Sequence, residues 1–103
     1  MEIRSISTGK LLKMVEKKQI FDLIDVREDF EVANGMIPGA THIQLNDVPS
    51  RLDDLSKEKE YYIICRSGVR SLRVCEFLQE SGFRVMNVSG GMNSWFGEKI
   101  YPS

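Results

Sequence analysis

The run Tyr61-Tyr62-Ile63-Ile64-Cys65 is apolar without a break and passes, through Arg66-Ser67-Gly68, straight into a helical pattern over 69–81. A short, continuous hydrophobic run is what a strand carries when both of its faces are covered, as in a parallel sheet with crossover helices. Phe21-Asp22-Leu23-Ile24-Asp25-Val26 and Val85-Met86-Asn87-Val88 have the same character, while Thr41-His42-Ile43-Gln44-Leu45 alternates and reads as an edge strand. Helical patterns fill the intervals. Ser7 or Thr8 caps a helix with Leu11, Leu12 and Val15 inward and Lys10, Lys13, Lys17 and Lys18 outward. A short helix over 28–34 stops at Gly35, with the turn Pro38-Gly39 behind it, and 49–55 forms a helical turn or two. The helix over 69–81 carries Leu72, Cys75, Phe77 and Leu78 on or beside one face and ends at Gly82; a last short one starts at Met92 after Gly90-Gly91. Strands alternating with helices through right-handed crossovers give a small α/β sandwich.

The chain has 103 residues, so residues 1–103 are expected to form a single domain. Its 42% hydrophobic and 28% charged residues are ordinary for a globular protein. Fourteen Lys and Arg against fifteen Asp and Glu give a net charge of −1, with no basic excess to drive binding to nucleic acid. No apolar run approaches the roughly 20 residues that cross a bilayer, and with no apolar h-region behind a basic start no secretory leader is expected. A cytoplasmic protein with no nucleic-acid or membrane partner is the expectation. Two cysteines and one histidine, His42, are too few for a structural zinc site, so neither metal nor cofactor is expected.

Cys65 is placed at the carboxyl end of a central strand, in the turn that feeds a helix, which is where open α/β sheets bind ligands. Successive backbone N–H groups converge there, and the helix end adds about half a positive charge. Gly68 permits a positive φ or a close approach to an anion, and Arg66 and Arg70 add two cations. All of these favour the thiolate, which turns Cys65 into a nucleophile without a histidine base. Cys75, between Leu72 and Leu78, reads as a core residue, with a resolving role as the alternative.

At these residues the chain resembles the rhodanese-like domain in its single-domain form. The loop Cys65-Arg66-Ser67-Gly68-Val69-Arg70-Ser71 is similar to that family's sulfur-carrying loop, and Asp25-Val26-Arg27 after the first long strand is similar to its Asp-Val-Arg motif. Gly35-Met36-Ile37-Pro38-Gly39-Ala40 resembles its Gly-His-Ile-Pro-Gly-Ala turn, and Gly90-Gly91-Met92-Asn93-Ser94-Trp95 its closing Gly-Gly-x-x-x-Trp. Met36 stands where the family has histidine, read either as a packing exchange or as a change in substrate choice. The resemblance implies a three-layer α/β sandwich with a five-stranded, mainly parallel sheet and helices on both faces. It implies a thiosulfate sulfurtransferase (rhodanese) activity, with sulfane sulfur carried as a persulfide on catalytic Cys65.

On that reading the donor is thiosulfate or a similar small anion, the acceptor a thiol or cyanide, and a sulfur-accepting protein is a further candidate partner. Substrate is held by Arg66, Ser67, Gly68, Val69, Arg70 and Ser71. The trio Asp25, Arg27 and Glu28 supports the loop: either Asp25 or Glu28 fixes a loop arginine, or the three serve as helix cap and surface charge. Trp95 is expected to pack beneath the helix that follows the loop, and His42 is assigned no role. Two rivals remain: a cysteine phosphatase or arsenate reductase built on the same anion cradle, and a persulfide-relay or binding module acting on a partner protein. Only four residues separate Cys65 from Arg70, one fewer than in cysteine phosphatases, and a smaller cradle suits one sulfur better than a tetrahedral phosphate.

Overall fold

The computed structural model describes residues 2–102. Five strands form one parallel sheet: β1 (Ser5–Ser7), β2 (Asp22–Asp25), β3 (Thr41–His42), β4 (Glu60–Ile64) and β5 (Arg84–Ser89), in spatial order β1-β5-β4-β2-β3. Three α-helices, α1 (Thr8–Glu16), α2 (Asp29–Val32) and α3 (Val69–Glu80), are joined by 3-10 segments at Leu45–Asp54 and Gly91–Ser94. The expected strands are all present. The edge strand β3 is only two residues long, and β1, too short and polar to carry a hydrophobic signature, completes the opposite edge.

The central strand β4 shows how the sequence builds two cores at once. Its side chains alternate between faces, so Tyr61, Ile63 and Cys65 enter one cluster with Ile24, Val74, Cys75, Leu78 and Val85. Tyr62 and Ile64 enter the other, with Leu11, Leu23, Val88 and Trp95. Each face needs its own apolar set, which is why the run is continuous. The same parity carries Cys65, one step past the strand, to the α3 side.

Local signals act as read at several ends. Ser7 caps α1, its hydroxyl oxygen accepting the Lys10 N–H at 3.1 Å. Gly82, at φ +95°, closes the helix over 69–80 where a side chain would be strained, and the Phe83 N–H returns to the Leu78 carbonyl at 3.0 Å. Two readings need correction. The inward face of α3 is Ser71, Val74, Cys75 and Leu78, while Leu72 and Phe77 lie at the surface. Trp95 packs with Leu11 of α1, on the opposite side of the sheet from α3, because the Gly90-Gly91 turn reverses the chain over that face.

Cys75 is fully buried, and burial first, with the nearby Cys65 and Glu76 charges adding, pushes its thiol up to about 12. It is a core residue. Replacing it with serine puts a hydroxyl where no partner is provided and is expected to destabilise the fold by about 1–3 kcal/mol. Urea unfolding of Cys75→Ser checks this; an unchanged midpoint would contradict the packing assignment.

Candidate active site

The thiol of Cys65 is buried to 0% exposure, yet its sulfur is not in an apolar environment. The Gly68 N–H donates to Sγ at 3.1 Å and the Ser71 N–H at 3.3 Å, and the Ser71 hydroxyl oxygen lies 3.2 Å from it. Burial pushes the thiol up; the Ser71 hydroxyl and the N–H groups of Ser71, Gly68 and Ser67 outweigh it, and the net displacement is below the ordinary thiol range. Of the groups the sequence offered, the backbone N–H donors reach the sulfur, and neither Arg66 nor Arg70 is among the groups that lower its thiol.

The turn that aims these donors is built on glycine. Gly68 has φ +98°, and a Cβ there would stand 3.3 Å from the Gly90 nitrogen. Gly91 is tighter: a Cβ would fall 2.5 Å from the Cys65 carbonyl oxygen and 2.6 Å from the Arg66 carbonyl group. The close approach lets the Met92 N–H reach the Cys65 carbonyl at 2.8 Å and the Asn93 N–H the Arg66 carbonyl at 2.9 Å. Thr8 secures the second turn from the other side, its hydroxyl 2.9 Å from the Gly91 carbonyl. Asn87 on β5 donates its amide to the Gly68 carbonyl at 3.2 Å, while its own Oδ1 is buried without a partner among the described residues. A buried orphan acceptor is costly, and here it accompanies the bond that holds Gly68.

The loop arginine is gripped by a residue the sequence reading passed over. Arg70 makes a two-pronged bond to Glu31, Nη1–Oε1 2.7 Å and Nη2–Oε2 2.8 Å. Neither Asp25 nor Glu28 holds it. Asp25 instead takes both prongs of Arg27, from Nε at 3.0 Å and Nη2 at 2.8 Å, and Arg27 Nη2 also reaches the Gly35 carbonyl at 2.9 Å. Glu28 precedes α2, and its N–H donates to Glu31 Oε1 at 3.0 Å. The trio thus fixes the α2 segment that presents Glu31. A signal existed in the spacing: Glu28-x-x-Glu31 at a helix start is the span at which an N3 carboxylate reaches back to the cap N–H. His42 belongs to the same frame. Its Nε2 lies 2.7 Å from the Arg27 carbonyl, and since that oxygen can only accept, Nε2 carries the proton.

Arg66, by contrast, is exposed and lines an open cavity beside the loop together with Glu31 and Lys99. Ser67 and Val69 are exposed, and of the two only Ser67 turns a backbone N–H toward the sulfur. Met36 is buried, and its backbone pairs with Ile100 in both directions at 2.8 Å, in keeping with a packing exchange at the family's histidine position. Among the described residues no cluster of potential metal ligands occurs, and no helix is long and apolar enough to cross a membrane.

The sulfur-centred loop, the parallel five-stranded sheet and the paired glycine turn define a rhodanese-like protein. The family model described as "Rhodanese-like domain" matches residues 7–98, and the chain belongs to that family. It is 54% identical over 98 residues to the Bacillus subtilis (strain 168) protein named "Putative sulfurtransferase YtwF", covering 95% of each chain. It is 39% identical over 94 residues to the Allochromatium vinosum protein named "Sulfurtransferase", covering 90% of this chain and 88% of that one. The crystal structure of a rhodanese-like domain protein from Staphylococcus aureus superposes with a TM-score of 0.91 at 37% identity, over 98% of this chain and 100% of the other.

Two outcomes test the site. Arg70 first, then the Glu28 N–H, hold Glu31 down at about 2 from its ordinary 4.5. Because the folded value is depressed, the pair stabilises the fold fully above about pH 4.5, and that stability fades as pH falls toward 2. Urea unfolding of Glu31→Gln should therefore lie below the parent by on the order of 2 kcal/mol at pH 7, the partly exposed Arg70 being screened by water. The gap should close between pH 4.5 and 2. A gap independent of pH would contradict the pairing. Separately, Ser71→Ala removes a charge-assisted bond of about 1.5–3 kcal/mol. Iodoacetamide titration should show the midpoint for Cys65 moving up; an unmoved midpoint would assign the thiolate to other groups.

Proposed function

We propose that the chain is a sulfurtransferase that carries sulfane sulfur as a persulfide on Cys65, taking it from thiosulfate or a similar anion and passing it to a thiol or cyanide. The observation that carries this reading is the convergence of Gly68 N–H, Ser71 N–H and the Ser71 hydroxyl on one sulfur atom. A site so arranged stabilises a thiolate before the reaction and an anionic sulfur after it. In the first step the Cys65 thiolate attacks the outer sulfur of thiosulfate. A sulfur–sulfur bond forms, the one to the oxidised sulfur breaks, and sulfite leaves with its electron pair. In the second step cyanide or a thiolate attacks the outer sulfur of the persulfide, and the pair of the broken bond returns to Cys65 as thiolate. Charge and atoms balance in both, and the two half-reactions follow ping-pong order.

Most loop residues have a part in this reading. Ser67, Gly68 and Ser71 offer backbone N–H groups to the sulfur. Arg66 draws the anionic donor. Arg70 keeps donors free after its two bonds to Glu31, because a guanidinium has five. Two free buried cysteines suit a reducing compartment, which supports the cytoplasm as the place of action. A protein acceptor is compatible with the same chemistry.

The test is direct. Intact mass after thiosulfate treatment should rise by one sulfur, located on the Cys65 peptide and removed by cyanide. Cys65→Ser should fold, gain no sulfur and lose thiosulfate:cyanide turnover, because a serine hydroxyl is neither ionised at neutral pH nor thiophilic. A protein that stays unsulfurated and hydrolyses an aryl phosphate through Cys65 would overturn the proposal in favour of a phosphatase.

A further inference from the structure

Beside the Cys65 loop lies an open cavity of about 300 Å³ whose walls include Phe30, Glu31, Arg66, Met92, Asn93 and Lys99. It meets the nucleophile's loop at Arg66. Arg66 follows Cys65 directly, and the N–H groups of Met92 and Asn93 bind the Cys65 and Arg66 carbonyls. A molecule lying there sits against the start of the loop that holds the reacting sulfur.

The charges of the cavity are unbalanced. Glu31 is engaged by Arg70, and Arg27, which also reaches this wall, is engaged by Asp25. Arg66 and Lys99 have no acidic partner among the described residues. Lys99 is also held in place. The antiparallel bridge between Met36 and Ile100 anchors the segment that carries it, and its stem lies over Gly35, where a Cβ would be 2.8 Å from Lys99 Cδ. Phe30, 71% exposed, adds an apolar face to the same lining. Thiosulfate needs only the cradle over Cys65, and this adjoining space is larger than so small a dianion fills.

We propose that this cavity is the acceptor subsite and that it selects small thiols bearing carboxylates, which Arg66 and Lys99 receive while Phe30 covers the thiol's carbon skeleton. The inference rests on the sulfur-transfer reading above. The acceptor thiolate attacks the outer sulfur of the Cys65 persulfide, one sulfur–sulfur bond replaces another, and Cys65 recovers its electron pair.

The test compares mercaptosuccinate with 2-mercaptoethanol as acceptors from protein preloaded with thiosulfate, in the parent, Lys99→Gln and Lys99→Glu. The ratio of their kcat/KM values should favour mercaptosuccinate in the parent and weaken as salt rises. It should fall about fivefold in Lys99→Gln and further in Lys99→Glu. Equal ratios in all three proteins would overturn the subsite. If Cys65 takes up no sulfur, the proposed function fails instead, and the subsite is then judged by binding alone. For that, methylthiosuccinate, which has no free thiol, is titrated against the parent and Lys99→Glu. Backbone amide shifts centred on Phe30, Arg66 and Lys99, weaker in the variant, support it; no shifts there overturn it.

Discussion

A fully buried sulfur, Cys65 Sγ, held by backbone N–H donors is the constraint around which the candidate site is arranged. Burying a charge without partners costs several kcal/mol, and a thiol so placed ordinarily stays neutral. Cys65 has no exposed surface, and burial pushes its thiol up, yet Ser71 and the loop N–H groups bring it below the ordinary thiol range. Those donors aim at one point only because Gly68 adopts φ +98° and because Gly91 lets the neighbouring turn approach the Cys65 carbonyl without a side chain between. Backbone shape therefore does electrostatic work here, and two glycines far apart in sequence act as one device.

A second layer fixes the cations. Arg70 lies in the first turn of α3 and depends on Glu31, which depends on the short helix α2, which is tied to the end of β2 by the buried Asp25–Arg27 pair. His42 on the edge strand holds the Arg27 carbonyl from the other side. An isolated helix as short as α2 has no stability of its own in water. It persists because Arg27 bonds the carbonyl of Gly35 beyond its end and because Glu31 is anchored by Arg70. Active loop and supporting helix stabilise each other, so neither is expected to order alone.

Much of this was legible in the sequence, and the reasons are specific. The unbroken run 61–65 reads as a strand covered on both faces, and the two core clusters it enters bear that out. Positions of Gly82 and Ser7 marked helix ends because one tolerates a positive φ and the other supplies an acceptor for free N–H groups. Illegible were the pairings made across the fold. The spacing Glu28-x-x-Glu31 marks Glu31 only as a cap residue and says nothing of Arg70, which lies 39 positions away on another helix. Asn87 and Thr8 were hidden for the same reason: a lone polar residue within a strand or at a helix start has a bland local explanation, and only the tertiary structure brings them to Gly68 and Gly91. Leu72 and Phe77 misled in the opposite way. Hydrophobic residues at helical spacing suggested an inward face, but Ser71, small and polar, is turned to the interior with Val74, Cys75 and Leu78, its hydroxyl 3.2 Å from the Cys65 sulfur.

The two cysteines supply an internal control for the chemistry. Both lie in the same cluster on the same face of the sheet, and both are fully buried. Burial raises both thiols, yet Cys75 is pushed up to about 12 while Cys65 is brought below the ordinary range. The difference is the donors that reach Cys65, and so depth in the core does not decide reactivity. The pair also bears on a resolving role for Cys75. A thiol attacks a sulfur–sulfur bond as its thiolate, and the anion on Cys65 is itself one of the causes that keep Cys75 protonated. On the proposed sulfur-transfer reading, an external acceptor rather than Cys75 then takes the sulfur from Cys65.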